Sequence, residues 1–400
     1  MTLNRARSDK LADNEHFQWT TGGHLFGQIC ANLWIILILG TSLVASNLLT
    51  TICKLAWNSG LFLLLPIKSY MCSFGTDPSK DCRRNKAENV MGTPNETTVT
   101  EFILVGLSGH PQAQAVFFAF FLMAYLISTL GNGLMIVLII GDSHLHSPMY
   151  FFLCTLSSVD LVITNNAVPG SLVNCFFYMP TISFYGCLVQ MYVGLLLIVI
   201  ECLLLAVMAY DRFAAICQPL HYMQIVSWRF CTSLVSLCVV LALLNTFINI
   251  LLQPTDFCGH NIINHFGCEL QSFLKQACSD VHISDLYVQL STFAFVVSPF
   301  GFIVVTYGRI GLAILRIRST QGRKKAFSTC SSHLTVVSIF YGTIMIMYLK
   351  PEQKSSSDKD NIIAALYAVI TPLLNPLIYS LRNRDVKGAF WRLFGRKTSE

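Results

Sequence analysis

The chain has 400 residues, of which 54% are hydrophobic and 12% are charged, and its net charge is +6. Soluble globular domains carry about twice that share of charged residues, so the composition excludes this class and indicates a membrane protein. The positive charge does not indicate nucleic-acid binding, because the basic residues cluster beside apolar runs and are not interleaved with aromatic residues.

Residues 1–90 differ from the rest of the chain. They contain an apolar run at 29–49 that is long enough to cross a membrane and a second, interrupted run at 55–67. Two interpretations stay open for this atypical extension. Either residues 29–49 are an extra membrane segment, or the extension comes from an alternative or mispredicted start and the chain proper begins near Met91.

Seven long apolar runs follow the extension, and none alternates with the two-residue period of a barrel strand. Each approaches or exceeds the roughly 20 residues that a helix needs to cross the hydrocarbon core. The predicted fold class is therefore an all-α membrane protein, a bundle of seven transmembrane helices within residues 116–380. The predicted spans are 116–140, 149–172, 187–213, 229–252, 287–314, 326–349 and 360–380.

The distribution of charge predicts the orientation of the bundle. Basic residues are concentrated between spans five and six and after span seven, which predicts that both segments are cytoplasmic. With seven spans, residues 91–115 are then an extracellular N-terminus, where Asn95 begins a glycosylation acceptor. Residues 381–400 are predicted to form a short amphipathic helix along the inner membrane surface, in contact with lipid, and a cytoplasmic tail.

Span three carries a cysteine and an arginine at opposite ends. Cys187 precedes Arg212 by 25 residues, which is about 37 Å of helix, so the two lie at opposite membrane faces. Arg212 can hold neighbouring helices or a partner's peptide through its several donors. The alternative is an arginine that only extends its charge to the interface.

Several motifs occur in a fixed order. Span three ends in MAYDRFAAIC at 208–217, followed by PLHY at 219–222. The others are Gly131-Asn132, LHSPMYFFL at 145–153, LSSVD at 156–160, KAFSTCSSH at 325–333 and PLLNPLIY at 372–379. Together they resemble the class II (tetrapod-type) odorant receptors, rhodopsin-like G-protein-coupled receptors, over residues 91–395, with family 13 among the expected relatives. Phe213 and Ser147 stand where Tyr and Thr are commoner in that family.

The resemblance implies roles at the inner end of the bundle. Asp211 restrains Arg212, while Tyr307 and Tyr379 move in to support the active state, and Asn375 and Pro376 belong to the span-seven motif. Pro299 and Pro376 ease local helix distortion.

Asp160 and Glu201 are acidic residues deep within apolar spans, where an unpaired charge costs at least about 2.5 kcal/mol. In a receptor they would form an interior polar network with Asn132 and Asn375 that binds sodium or water. A protonated, hydrogen-bonded structural pair is the other interpretation, and the sequence does not separate the two.

The family binds small ligands between spans three, five and six. The lining implied by resemblance is apolar with scattered hydroxyls and no charge: Gly194, Leu195, Ile198, Val199, Ser291, Thr292, Phe295, Tyr341, Met345 and Tyr348. An odorant with one hydrogen-bonding group fits this set better than an amine, because no pocket carboxylate on span three is expected. Ligand contacts near Tyr341 would favour an outward movement of span six and admit the olfactory stimulatory heterotrimeric G protein, which raises cyclic AMP.

Four cysteines are extracellular in this topology and allow three pairings. The resemblance favours Cys187 with Cys268, and Cys258 with Cys278. Because disulfides consume the thiolates, no metal site with His260 or His265 is expected, and no cofactor is expected either.

An enzyme is not predicted, because the chain has no phosphate-binding loop, no HExxH and no nucleophile elbow. The alternatives to an odorant receptor are a receptor-like membrane protein with another ligand and, supported only by Asp160 and Glu201, a transporter or channel.

Overall fold

The computed structural model describes residues 99–104, 111–174, 181–254, 256–257, 261–263, 265, 267–348, 369–380 and 383–395. The extension 1–90, Asn95, Cys258 and the first part of predicted span seven lie outside the described residues.

The described chain is almost entirely helical. In chain order the helices are α1 (Pro111–Gly141), α2 (Pro148–Asn174), α3 (Phe184–Cys217), α4 (Tyr222–Ile225), α5 (Trp228–Leu251), α6 (Leu270–Leu274), α7 (His282–Arg316), α8 (Thr320–Tyr348), α9 (Val369–Ser380) and α10 (Arg384–Phe394). Each of the seven predicted spans overlaps one of them, so the all-α bundle is confirmed. Among the described residues, α1, α2, α3, α5 and α7 are long and apolar enough to cross a membrane.

The α3 helix lies at the centre of the bundle, against α2, α5, α7 and α8. Its first turn is capped by Ser183, whose hydroxyl accepts a hydrogen bond from the Gly186 amide at 3.1 Å. Leucine, valine and phenylalanine side chains on the outer faces of the bundle are exposed, as expected for contact with lipid: Phe293 is 65% exposed and Val305 62%.

The α7 helix contains a π-helical turn at Phe293–Val297, just ahead of buried Pro299. Proline has no amide hydrogen, so the preceding turn loses a helical hydrogen bond and widens easily. The predicted distortion near Pro299 therefore occurs, and it lies where Phe295 faces the bundle interior.

A three-stranded sheet closes one end of the bundle and was not predicted from the sequence. Strand β1 (Glu101–Leu104) lies between β2 (Thr181–Ser183), which is antiparallel to it, and β3 (Ile262–Ile263), which is parallel. Fully buried Phe102 packs against Phe184, Phe257 and Phe273, with ring centroids 5.8–6.1 Å apart. We call this end of the bundle the sheet end and the opposite one the Arg212 end.

At the Arg212 end, α10 is fastened to the loop after α1. The Arg392 guanidinium donates to Asp142 from Nε at 2.8 Å and from Nη2 at 2.6 Å. His144 donates its backbone amide to the other carboxylate oxygen at 3.0 Å. Burial by itself raises the pKa of the Asp142 carboxyl, but the hydrogen bonds from His144 and Arg392 and the charge of Arg392 outweigh it, so the pKa lies below its usual range.

The α1 and α9 helices approach each other closely at Gly131. A Cβ atom at this position would lie 3.0 Å from Cγ and 3.1 Å from Cβ of Pro376. We predict that Gly131→Ala lowers the free energy of unfolding by about 1–3 kcal/mol, because the proline ring has to move. The matched control is Gly133→Ala, where no described atom lies within 4 Å of the added Cβ. The control should be neutral or stabilising by up to about 1 kcal/mol. Thermal unfolding in detergent measures both, and equal effects would contradict the close approach.

The Asp142 clamp predicts a defined pH dependence. The pKa of the Asp142 carboxyl is lower in the folded than in the unfolded protein. The stabilisation by its contacts with Arg392 and His144 is therefore complete above the unfolded pKa near 3.8, and it is lost as the pH falls through the lower folded pKa. Asp142→Asn should therefore lower stability by about 1 kcal/mol at neutral pH, given that Arg392 is half-exposed. The difference between wild type and variant should stay constant from neutral pH to about pH 5 and shrink only below about pH 4. A difference that changes near pH 6.5 would assign the effect to a histidine instead.

Candidate functional site

A cavity of about 220 Å³ lies between α2, α3, α5, α7, α8 and α9 near the sheet end. Seven of the predicted ligand residues line it: Gly194, Leu195, Ile198, Val199, Ser291, Thr292 and Phe295. Most of the remaining wall is apolar, from side chains such as Ile163, Met191 and Ile344. We call this space the outer cavity.

Three predicted lining residues are not placed against the outer cavity. Tyr341 is 2% exposed, packs against Phe300 in a tilted arrangement with a centroid distance of 4.7 Å and donates to the Cys202 carbonyl at 3.5 Å. Met345 is 37% exposed, and the side chain of Tyr348 is not described. Ile344 is the α8 residue that lines the cavity instead, so ligand contacts of these three stay predictions.

The expectation that span three contributes no carboxylate to the pocket is wrong. Glu201 lines the outer cavity and is 2% exposed, and its Oε1 has no hydrogen-bond partner among the described residues. His265 and Glu269, from the loop after α5, also line it. The sequence showed each of these residues, but it did not show that α3 turns Glu201 toward the cavity.

His265 and residues 267–271, which line the outer cavity at the sheet end, form what we call its roof. The roof is tied to α3 in two ways. The predicted Cys187–Cys268 disulfide is present. In addition, Gln190 accepts the Cys268 amide at 3.0 Å and donates to the Asn166 carbonyl of α2 at 3.1 Å. Asn166 donates in return to the Gln190 carbonyl at 2.9 Å. One side chain thus connects α2, α3 and the roof.

The second predicted disulfide is described only in part. Cys278 is disulfide-bonded, and its amide donates to the Asp256 carbonyl at 3.0 Å. A backbone bridge between Phe257 and Ala277 brings the two segments together. Its predicted partner Cys258 lies outside the described residues.

The interior polar residues form two connected groups. Asn375 donates to Asp160 at 2.8 Å. Asn132 does not reach Asp160; it donates to the Pro372 carbonyl at 2.9 Å, while Ser128 links to Thr164 at 2.9 Å. Glu201 lies near enough to Asp160 for two negative charges to repel each other. Two buried carboxyls this close in lipid need a shared proton or a cation.

At the Arg212 end a second cavity, of about 830 Å³, is lined by three of the predicted switch residues, Asp211, Arg212 and Tyr379; we call it the inner cavity. The other three, Tyr307, Asn375 and Pro376, do not line it. Arg212 pairs with neighbouring Asp211, donating from Nε at 3.0 Å, and Tyr222 of α4 donates to the other Asp211 oxygen at 2.7 Å. Burial, together with the Asp211 charge, raises the pKa of Tyr222, which therefore stays a neutral donor. Arg212 is held by the protein and does not reach into solvent: its side chain is 9% exposed.

Tyr307 of α7 and His333 of α8 are joined near Arg212. The Tyr307 hydroxyl lies 2.7 Å from His333 Nδ1, and the rings stack with an interplanar angle of 17°. Tyr379 of α9 also lines the inner cavity, and its hydroxyl has no partner among the described residues. The sequence placed His333 in a motif but assigned it no role; its contact with Tyr307 depends on the relative rotation of two helices.

The chain is similar in sequence to known proteins over most of its length. A family described as "Olfactory receptor" matches residues 121–397. Olfactory receptor 1E16 of Mus musculus is 46% identical over 304 residues, 76% of this chain and 97% of the relative. Olfactory receptor 13H1 of Homo sapiens is 46% identical over 308 residues, 77% of this chain and the whole of the relative. Olfactory receptor 1F1 of Homo sapiens is 45% identical over 307 residues, 76% of this chain and 98% of the relative.

The Gln190 tie generates a prediction for the roof of the outer cavity. Gln190→Met keeps the side-chain length but leaves the Cys268 amide and the Asn166 carbonyl without their partners, so stability should fall by about 1–3 kcal/mol. Hydrogen exchange at the Cys268 amide should accelerate. Gln190→Glu retains the acceptor for that amide, and its exchange should stay close to wild type. Unchanged protection in Gln190→Met would show that the disulfide alone holds the roof.

Proposed function

The chain belongs to the olfactory receptor family, and on that premise we propose that it binds a small volatile organic ligand in the outer cavity and activates the olfactory stimulatory G protein, raising cyclic AMP. Membership makes it a multi-pass plasma-membrane receptor for odorants that acts with a G protein, and not an enzyme. The finer steps, from ligand class to cyclic AMP, are the proposal.

The outer cavity supports the ligand half of the proposal. It is lined by six long helices and a tied roof, is mostly apolar and offers a few polar groups, as small-molecule sites do. The single observation that carries the proposal is that seven residues matching the family's ligand positions line one cavity near the sheet end.

The inner cavity supports the coupling half. It holds Arg212, Asp211 and Lys324 in a space large enough to admit part of a partner protein. In the structure Arg212 is paired with the Asp211 carboxylate, which also accepts a hydrogen bond from the Tyr222 hydroxyl. Activation would release Arg212 from this pair, which fits a population shift between two arrangements of the bundle.

The two cavities share the helices that would move. Phe295 and Ile344 line the outer cavity, and Tyr307 and His333 join the same two helices, α7 and α8, near Arg212. A ligand that packs better against one arrangement of α7 and α8 therefore biases the Tyr307–His333 contact. The π-helical turn at Phe293–Val297 contains Phe295 and so forms part of the outer-cavity wall, where it allows α7 to adjust.

We further propose that the sheet end is extracellular and the Arg212 end cytoplasmic. The Cys187–Cys268 disulfide is at the sheet end, and disulfides persist in oxidising compartments. Arg316, Arg323 and Lys324 lie at the other end, as cytoplasmic flanks prefer. Asn95 is then a glycosylation acceptor in the N-terminal segment 91–115, ahead of the bundle 116–380 and the tail 381–400.

Arg212→Ala tests the proposed coupling. The full chain is expressed with the olfactory G protein, from Met1 and separately from Met91, and cyclic AMP is recorded across an odorant panel. Ligand-stimulated cyclic AMP should fall at least about tenfold in Arg212→Ala, because the residue that engages the partner is removed. Arg229→Ala, at an exposed arginine of the same end that does not line the inner cavity, should respond as wild type.

Surface labelling accompanies every variant, so that a folding defect is not counted as lost coupling. A response that persists in Arg212→Ala at wild-type surface level would contradict the proposed coupling. Equal responses from the Met1 and Met91 chains would show that residues 1–90 are dispensable for signalling.

A further inference from the structure

The α5 helix places a buried amide against the outer cavity. Asn245 is 2% exposed and lines the cavity between apolar side chains of α3 and α7. Its neighbours on α5, Leu243, Leu244 and Phe247, are exposed to lipid. Asn245 is therefore a polar group turned inward by a helix whose outer face is apolar, and it was not among the residues predicted to line the pocket.

Only half of the Asn245 amide is satisfied. The Tyr287 hydroxyl of α7 donates to Oδ1 at 3.0 Å. Nδ2 is buried and has no hydrogen-bond partner among the described residues. Because the oxygen is held by α7, the nitrogen is turned away from Tyr287, and the cavity is the space that can supply its acceptor. A buried amide donor without an acceptor carries a free-energy penalty that a ligand would relieve.

The other polar groups around the outer cavity narrow the choice of ligand. Asn166 and Gln190 bond mainly to each other and to the roof. Glu201 and Glu269 bring carboxyl groups, and no lysine or arginine is among the described residues that line the cavity. An anionic ligand would therefore be repelled, whereas a neutral oxygen acceptor meets a free donor.

We propose that Nδ2 of Asn245 is the polar anchor of the outer cavity and donates a hydrogen bond to the carbonyl, ester or ether oxygen of an uncharged odorant. Tyr287 is the positioning residue that fixes the orientation of the amide. The inference rests on the proposed function and deepens it by naming the ligand class. The hydrocarbon part of the ligand packs against Leu195, Ile198 and Phe295.

The test measures direct binding to the purified full chain in lipid nanodiscs. The probes are octanal, octane, octylamine and octanoic acid, which share a chain length and differ in the polar group. Octanal should bind at least about tenfold more tightly than octane, the effect of one buried hydrogen bond. Octylamine should bind more weakly than octanal because its ammonium has no lone pair to accept a hydrogen bond from Asn245 Nδ2. Octanoic acid should bind more weakly because its carboxylate meets the carboxyl groups of Glu201 and Glu269.

Two variants on one helix separate the anchor from a packing effect. Asn245→Leu should abolish the preference for octanal over octane while octane binding is retained. Asn249→Leu is the matched control: Asn249 is also a buried asparagine of α5, but it bonds to the Asn245 carbonyl at 2.8 Å and does not line the outer cavity. It should keep the preference. Tyr287→Phe should reduce the preference for octanal without changing octane affinity, because only the orientation of the amide is lost.

Three results would overturn the inference: equal binding of octanal and octane, a preference for octanal that survives in Asn245→Leu, or octylamine binding more tightly than octanal. Failure of the proposed function is distinguishable. Binding of octanal through Asn245 with no cyclic AMP response would retain the anchor and reject the coupling. A cyclic AMP response to octanal of equal potency in wild type and Asn245→Leu would retain the coupling and reject the anchor.

Discussion

The structure depends on one constraint, that lipid offers no partners to polar groups, so each polar side chain in the bundle has to be matched from within. This is why polar contacts occur where helices meet. Asn132 bonds to the Pro372 carbonyl of α9, and Tyr287 bonds to Asn245 of α5. Among the buried polar atoms without a partner in the described residues, Glu201 Oε1 and Asn245 Nδ2 belong to residues that line the outer cavity. A molecule bound in that cavity is a partner that these two groups can still acquire.

Much of the fold could be predicted because hydropathy alone determines which segments lie in lipid. The predicted spans overlap the helices of the structure, and the pairing of Cys187 with Cys268 follows from the family resemblance. Seven residues that line the outer cavity were also identified, because the family resemblance implies their positions.

The features of the fold and the site that were not predicted depend on contacts between residues far apart in the sequence. The direction of Glu201 is decided by the rotation of α3 against its neighbours, and Tyr341 is drawn away from the outer cavity by Phe300 and the Cys202 carbonyl. The sheet at the end of the bundle joins three segments far apart in sequence, each at most four residues long. Such short strands carry too little periodicity to be recognised before the fold is known.

The sheet also determines where the chain enters the folded body. Strand β1 is held on both edges, and the partly buried Val99 packs against the aromatic cluster of Phe102. Val99 therefore lies in the same cluster as Cys268, which belongs to the roof of the outer cavity. A fluorescent reporter inserted directly ahead of Val99 would be attached next to that roof, so its emission would report on movements of the loop above the outer cavity.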